Sequence, residues 1–193
     1  MVSDRAHDSR LSSLWSVDLP DGVSAIYGDG VSQIPSLLAA NRAYAAARAT
    51  VADAHPSRQL AVVTCMDVRI DVLDVLGLRL GEAHVLRNAG GRVTEDVLRS
   101  LALGTHVLGV DTVVLMQHTK CGLAGQTDDE LRRTTGAAID FLPIGDHAAA
   151  LRDDIATLTS TPYLSQLQVV AGFVYDVVSG ELEDVALWER TTA

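Results

Sequence analysis

From Arg58 onward the chain alternates between two patterns of hydrophobic and polar positions. One is the short, nearly continuous apolar run rich in β-branched residues: RQLAVVTC (58–65), EAHVLRNAGG (82–91) and DTVVLMQHT (111–119). Such runs predict strands buried on both faces. The other returns apolar residues every three or four positions. TEDVLRSLALGTHVLG (94–109) does so behind an N-cap Thr94 with acids in its first turn, which predicts a helix. IDVLDVLGL (70–78) predicts a short helix closed by Gly77, and further helices are expected from Asp128 to about Thr134 and from Asp146 to about Leu158. LQVVAGFVYDVVSGELEDV (167–185) reads as a hairpin turning at Ser179-Gly180.

Ahead of these, the alanine-rich stretch from Ser36 to about Asp53 favours a helix. Residues 1–32, with turn signals at Leu19-Pro20-Asp21-Gly22 and Gly28-Asp29-Gly30, read as an irregular arm. The organisation expected is an arm over 1–32 and one domain over 33–193. The fold class is α/β: a mostly parallel central sheet covered by helices, with an N-terminal helical arm and a C-terminal hairpin.

Composition narrows the function. Fifteen basic against twenty-five acidic side chains give a net charge of −10, which argues against nucleic acid or an anionic membrane as partner. The first fifteen residues lack a signal-like apolar run, and no window is apolar over the length of a membrane span. The expected location is the cytoplasm. There the two cysteines read as core residues, catalytic thiols or metal ligands rather than as a structural disulfide.

Both cysteines sit just past the carboxyl ends of predicted strands, where α/β sheets build ligand sites. His118 and Cys121, with two residues between them, can share one ion, and Cys65 would reach it from a neighbouring strand. Two thiolates and an imidazole suit tetrahedral Zn²⁺, with a fourth position left open. If extension continued past Cys65, Asp67 and Arg69 would lie on its face. Asp67 could then reach the open position and Arg69 could hold it away. His7, His55, His84, His106 and His147 have no such partners and read as surface or packing residues. Gly28-Asp29-Gly30 lacks the third glycine of a dinucleotide site, and neither a P-loop nor a Gly-x-Ser-x-Gly elbow occurs.

Cys65-Met66-Asp67-Val68-Arg69 and His118-Thr119-Lys120-Cys121-Gly122, with the Arg-Asn-Ala-Gly segment between them, resemble the zinc signature of the β-class carbonic anhydrases. The similarity is close over residues 58–135 and weaker into the hairpin. It implies one zinc per chain on Cys65, His118 and Cys121, with Asp67 and Arg69 as the catalytic dyad and Asp67 a fourth ligand in a closed state. The implied reaction is attack of zinc-bound hydroxide on CO2 to give bicarbonate and a proton. It further implies a homodimer or a dimer of dimers, with the helix near 36–53 lying across the partner.

The variant also resembles a subgroup containing carbonyl sulfide hydrolases, which would release hydrogen sulfide and CO2 from the same site; carbon disulfide hydrolases are further relatives. A zinc-stabilised oligomer without turnover and a bicarbonate-binding module are the non-enzymatic alternatives. Two departures stand out: Val68 replaces a common serine, and Lys120 a common acid. Val68, Ala89, Gly90 and Leu123 are the expected pocket walls. Gly90 and Gly91 would equally serve a turn needing positive φ, and Arg87 would pair internally or line the cleft.

Overall fold

The computed structural model describes residues 33–48 and 53–191, which belong to two units. The arm over 1–32, with His7 and the Gly28-Asp29-Gly30 turn, lies outside the described residues. The first unit contributes helix α1 (Ile34–Ala47). It begins two residues before the expected Ser36, because Pro35 falls in the first turn, where a missing N–H costs nothing. It ends at Ala47, short of Asp53, where Arg48 turns to extended backbone at φ −76°, ψ 142°. No glycine or proline marks that end, so nothing local announces it.

In the second unit the chain runs β1 (Leu60–Cys65), α2 (Val72–Val75), β2 (Ala83–Asn88), α3 (Glu95–Val107), β3 (Thr112–His118), α4 (Asp128–Thr135), α5 (His147–Ser160), β4 (Val169–Tyr175) and β5 (Leu182–Glu189). The strands form one sheet in the order β2-β1-β3-β4-β5. β1 pairs in parallel with β2 and β3, and β3 with β4. The expected hairpin makes β5 the antiparallel member, with Gly180 at φ 80° in its turn.

Alternation along the central strands builds two apolar layers. Ala61, Val63, Val113 and Leu115 face a cluster completed by Val97 and Leu101 of α3 and Leu151, Ile155 and Leu158 of α5. Val62 and Met116 face a second cluster with Ile70, Val72, Leu123 and Ile144. Thr94 caps α3 by accepting from Val97 N, and Asp146 caps α5 by accepting from Ala149 N, each satisfying an otherwise orphaned first-turn N–H.

The parallel register brings the carboxyl ends of β1 and β3 side by side, and loops 66–71 and 119–127 leave the sheet together there. Among the described residues, no helix is long and apolar enough to cross a membrane.

Candidate metal centre

Cys65 closes β1 and His118 closes β3, with Cys121 in the turn that follows. All three are buried, and their donor atoms lie within 4.8 Å of one another. The two thiols are free, with their Sγ atoms 4.0 Å apart. His118 Nδ1 is 2.9 Å from Thr119 O. A carbonyl only accepts, so Nδ1 carries the proton and Nε2 is left with its lone pair. That Nε2 is buried with no hydrogen-bond partner.

A buried acceptor facing two thiols without a donor is costly. Burial holds the His118 imidazole below its ordinary range and pushes the Cys121 thiol up. A divalent cation reverses that logic, since it binds neutral imidazole and draws the proton from a thiol. The donor set therefore fits zinc: two sulfurs, one imidazole nitrogen with its tautomer fixed from behind, and a place for a fourth ligand.

Asp67 and Arg69 stand beside this cluster, although not as continued extension would place them. β1 ends at Cys65, and the two residues reach the site from the irregular loop beyond it. Asp67 Oδ1 accepts from Arg69 N at 2.9 Å and from Arg69 Nε at 2.8 Å, while Oδ2 accepts from Arg69 Nη2 at 2.6 Å. These bonds hold the Asp67 carboxyl far below the usual carboxylate range. Its Oδ2 is 3.8 Å from His118 Nε2. Arg69 Nη2 also donates to Lys120 O at 3.1 Å. Lys120 presents that carbonyl from a left-handed backbone, φ 55°, which is uncommon for a residue other than glycine.

Over the cluster opens a cleft of about 360 Å³, lined by Cys65, Met66, Asp67, Val68, Ala89, Gly90, Cys121, Gly122 and Leu123. The four expected wall residues are among them. Val68 is 98% exposed and forms the rim rather than the floor. Gly90 needs its lack of side chain twice over: φ is 76°, and a Cβ would come within 2.8 Å of Leu123 Cδ1. Gly91, at φ 64°, presses on the Thr64–Cys65 peptide, and a Cβ there would lie 2.9 Å from Cys65 N. Turn and cleft are thus one requirement.

Sequence reasoning left Arg87 undecided and missed how the turn is braced. Arg87 donates to the carbonyls of Cys65, Asp67 and Ile70, so it pairs internally. Asn88 brackets the glycine turn, donating to Arg92 O and accepting from Arg92 N; an Asn directly before Ala-Gly-Gly is the local signal for this. Arg92 is buried against Asp154 of α5, Nε to Oδ2 2.7 Å, and donates to Leu142 O. The other described histidines do not join the cluster. His55 pairs with Asp53, His106 with Tyr163 O, and His147 with Gln117.

The family model described as Carbonic anhydrase matches residues 60–182. The "Beta-carbonic anhydrase 1" of Mycobacterium tuberculosis is 40% identical over 136 residues, covering 67% of this chain and 83% of the relative. A carbon disulfide hydrolase of Saccharolobus solfataricus is 31% identical over 155 residues, covering 65% and 76%. The crystal structure of carbonic anhydrase from Streptococcus mutans superposes with a TM-score of 0.73 at 38% identity, covering 81% of this chain and 99% of that one.

Proposed function

Because the chain belongs to the β-carbonic anhydrase family, we propose that it hydrates CO2 reversibly to bicarbonate and a proton, with one zinc ion per chain held by Cys65, His118 and Cys121. The observation carrying this reading is the partnerless, buried His118 Nε2, which converges with two thiols beneath an apolar cleft. Zinc bound there would supply Lewis acidity, making a water nucleophilic near neutral pH.

The chain's own residues do the rest. Thr119 O fixes the His118 tautomer so that Nε2 stays available. Asp67 remains ionised at neutral pH and is therefore an acceptor only. With Oδ1 occupied twice by Arg69 and Oδ2 once, Oδ2 keeps a lone pair for the O–H of water or bicarbonate. Arg69, tied to Lys120 O, aims it. Met66, Val68, Ala89 and Leu123 give a linear, apolar substrate a surface where water gains little.

Hydrolysis of carbonyl sulfide to hydrogen sulfide and CO2 is the second reading. The same apolar lining favours it, as does the similarity to a carbon disulfide hydrolase. We assign a homodimer or dimer of dimers as the working unit. Exposed Val85, Leu103 and Val107 on β2 and α3, and Leu37, Leu38 and Tyr44 on α1, offer apolar surface for it. The net charge of −10 suits a small neutral substrate in the cytoplasm.

The deciding experiment compares kcat/KM for CO2, carbonyl sulfide and carbon disulfide on one zinc-loaded preparation. A ratio favouring CO2 supports the first reading, and one favouring a sulfur substrate replaces it. Turnover of none leaves a bicarbonate-binding or purely structural zinc protein.

A further inference from the structure

Leu142 stands in the left-handed region, φ 53°, a backbone state that a residue with a full side chain keeps only where its surroundings over-determine it. The hold comes from Arg92, which is buried. Its Nη1 donates to Leu142 O at 2.8 Å, with a longer contact to Pro143 O at 3.5 Å. Nε and Nη2 donate to Asp154 of α5, at 2.7 Å and 3.2 Å. A lysine ammonium could pair with Asp154 but lacks the planar fork that spans carboxylate and carbonyl together.

The segment that Arg92 fixes carries one wall of the cleft. Ile144 N donates to Leu123 O, and Gly125 N donates to Ile144 O, both at 3.1 Å. Leu123 lines the cleft, and its Cδ1 lies against Gly90, 2.8 Å from where a Cβ would stand. Arg92 Cγ and Ile144 Cδ1 crowd the same glycine, at 3.3 Å and 3.4 Å from that point. Leu123 therefore has no room to move toward Gly90. If the 142–144 segment loosens, the wall can only retreat, and the cleft widens.

We propose that Arg92 is a positioning residue that sets the width of the cleft, and with it the size of linear substrate admitted. The inference rests on the reading of this cleft as the substrate site. Arg92 does not line the cleft and touches no reacting atom; it acts through Leu142, Ile144 and Leu123.

The test uses the full zinc-loaded chain and has two readouts. One is kcat/KM for carbon disulfide divided by kcat/KM for CO2, sulfur making the first the larger of two linear molecules. The other needs no turnover: the nuclear Overhauser effect between labelled Leu123 methyls and Gly90. Arg92→Lys should weaken that effect and raise the ratio about tenfold, the low end of what one methylene of pocket space is worth. A general loosening of the fold lowers both rates together and leaves their ratio alone. Leu123→Ala should raise the ratio as Arg92→Lys does, and the two combined should raise it no further. A ratio for Arg92→Lys within about twofold of wild type overturns the proposal, as does an unchanged Overhauser effect or a double variant whose effects multiply. Where wild type turns over neither substrate, the catalytic reading falls separately, and the Overhauser effect alone decides the role of Arg92. If Arg92→Lys does not fold, Arg92→Met with Asp154→Leu removes charge and fork together and is read by the same criteria.

Discussion

Asp67 Oδ2 and His118 Nε2 face each other across 3.8 Å, with no hydrogen bond between them. Arg69 donates twice to Oδ1 and once to Oδ2, and Thr119 O engages only His118 Nδ1, so one Oδ2 lone pair and the Nε2 lone pair are left over. Each is turned toward the same small volume and neither fills it. Asp67→Asn keeps the shape but exchanges an acceptor for a donor at one position. Turnover by the zinc-loaded variant should fall by about 100-fold, the usual scale for a lost acid–base or orienting group. Activity and pH profile equal to wild type would remove Asp67 from the mechanism.

The same carboxyl governs a pH effect in the metal-free protein. Hydrogen bonds from Arg69 hold it below its ordinary value of 3.8. A depressed carboxyl contributes stability wherever it is ionised, fully above about pH 4, and loses it as the pH falls toward the folded-state value. Wild type should therefore melt above Asp67→Asn at about pH 6, and the gap should begin to narrow below about pH 4, with part of it remaining at about pH 3. Melting curves across that range check this; a gap that widens on acidification contradicts it.

Cys121→Ser replaces a soft anionic donor with a hydroxyl that stays protonated. Zinc content measured by mass spectrometry after dialysis should drop well below one per chain. Zinc added to wild type at about 100 times its Kd should stabilise the fold by about 2.7 kcal/mol, and the variant should lose that gain. Full zinc retention by the variant would refute the ligand assignment.

Gly91→Ala is expected to be more damaging than Gly136→Ala. Both positions have positive φ, but a Cβ at Gly91 meets the Thr64 and Cys65 backbone at 2.9 Å, whereas at Gly136 it meets nothing within 4 Å. Backbone strain alone costs about 1–3 kcal/mol. Urea unfolding should show Gly136→Ala inside that range and Gly91→Ala beyond it.

Arg92 and Asp154 form a buried pair, 9% and 4% exposed at the side chain. Removing one partner strands the other charge, so Arg92→Met should cost about 3–5 kcal/mol. Arg92→Met with Asp154→Leu should cost less than Arg92→Met alone. A double-mutant cycle in denaturant measures the difference.

The parts of this site legible in the sequence are those that strand patterning controls. Cys65, His118 and Cys121 could be placed because apolar runs end at them and parallel strands share an edge. Asp67 and Arg69 could be named but not routed, since the loop that brings them in has no periodicity. The three bonds of Arg87 were invisible, because an exposed arginine at a strand end looks the same whether it meets water or carbonyls. So was the left-handed Lys120, a backbone state that lysine does not advertise. Arg92 finds Asp154 across 62 residues, a pairing with no local pattern. Helix α1 was seen but its end was not, for alanine continues past the point where the helix stops.

The neighbouring parallel strands β1 and β3 carry a consequence for how the molecule assembles. Cys65 and Cys121 are 56 residues apart, and the excursion through β2 and α3 must return before they meet. Closing such a long excursion is a late and entropically costly event. A cation captured by this cluster thus greets a sheet already complete. It would leave the folding rate nearly unchanged and slow unfolding instead, acting as a latch on the finished chain rather than a seed for it.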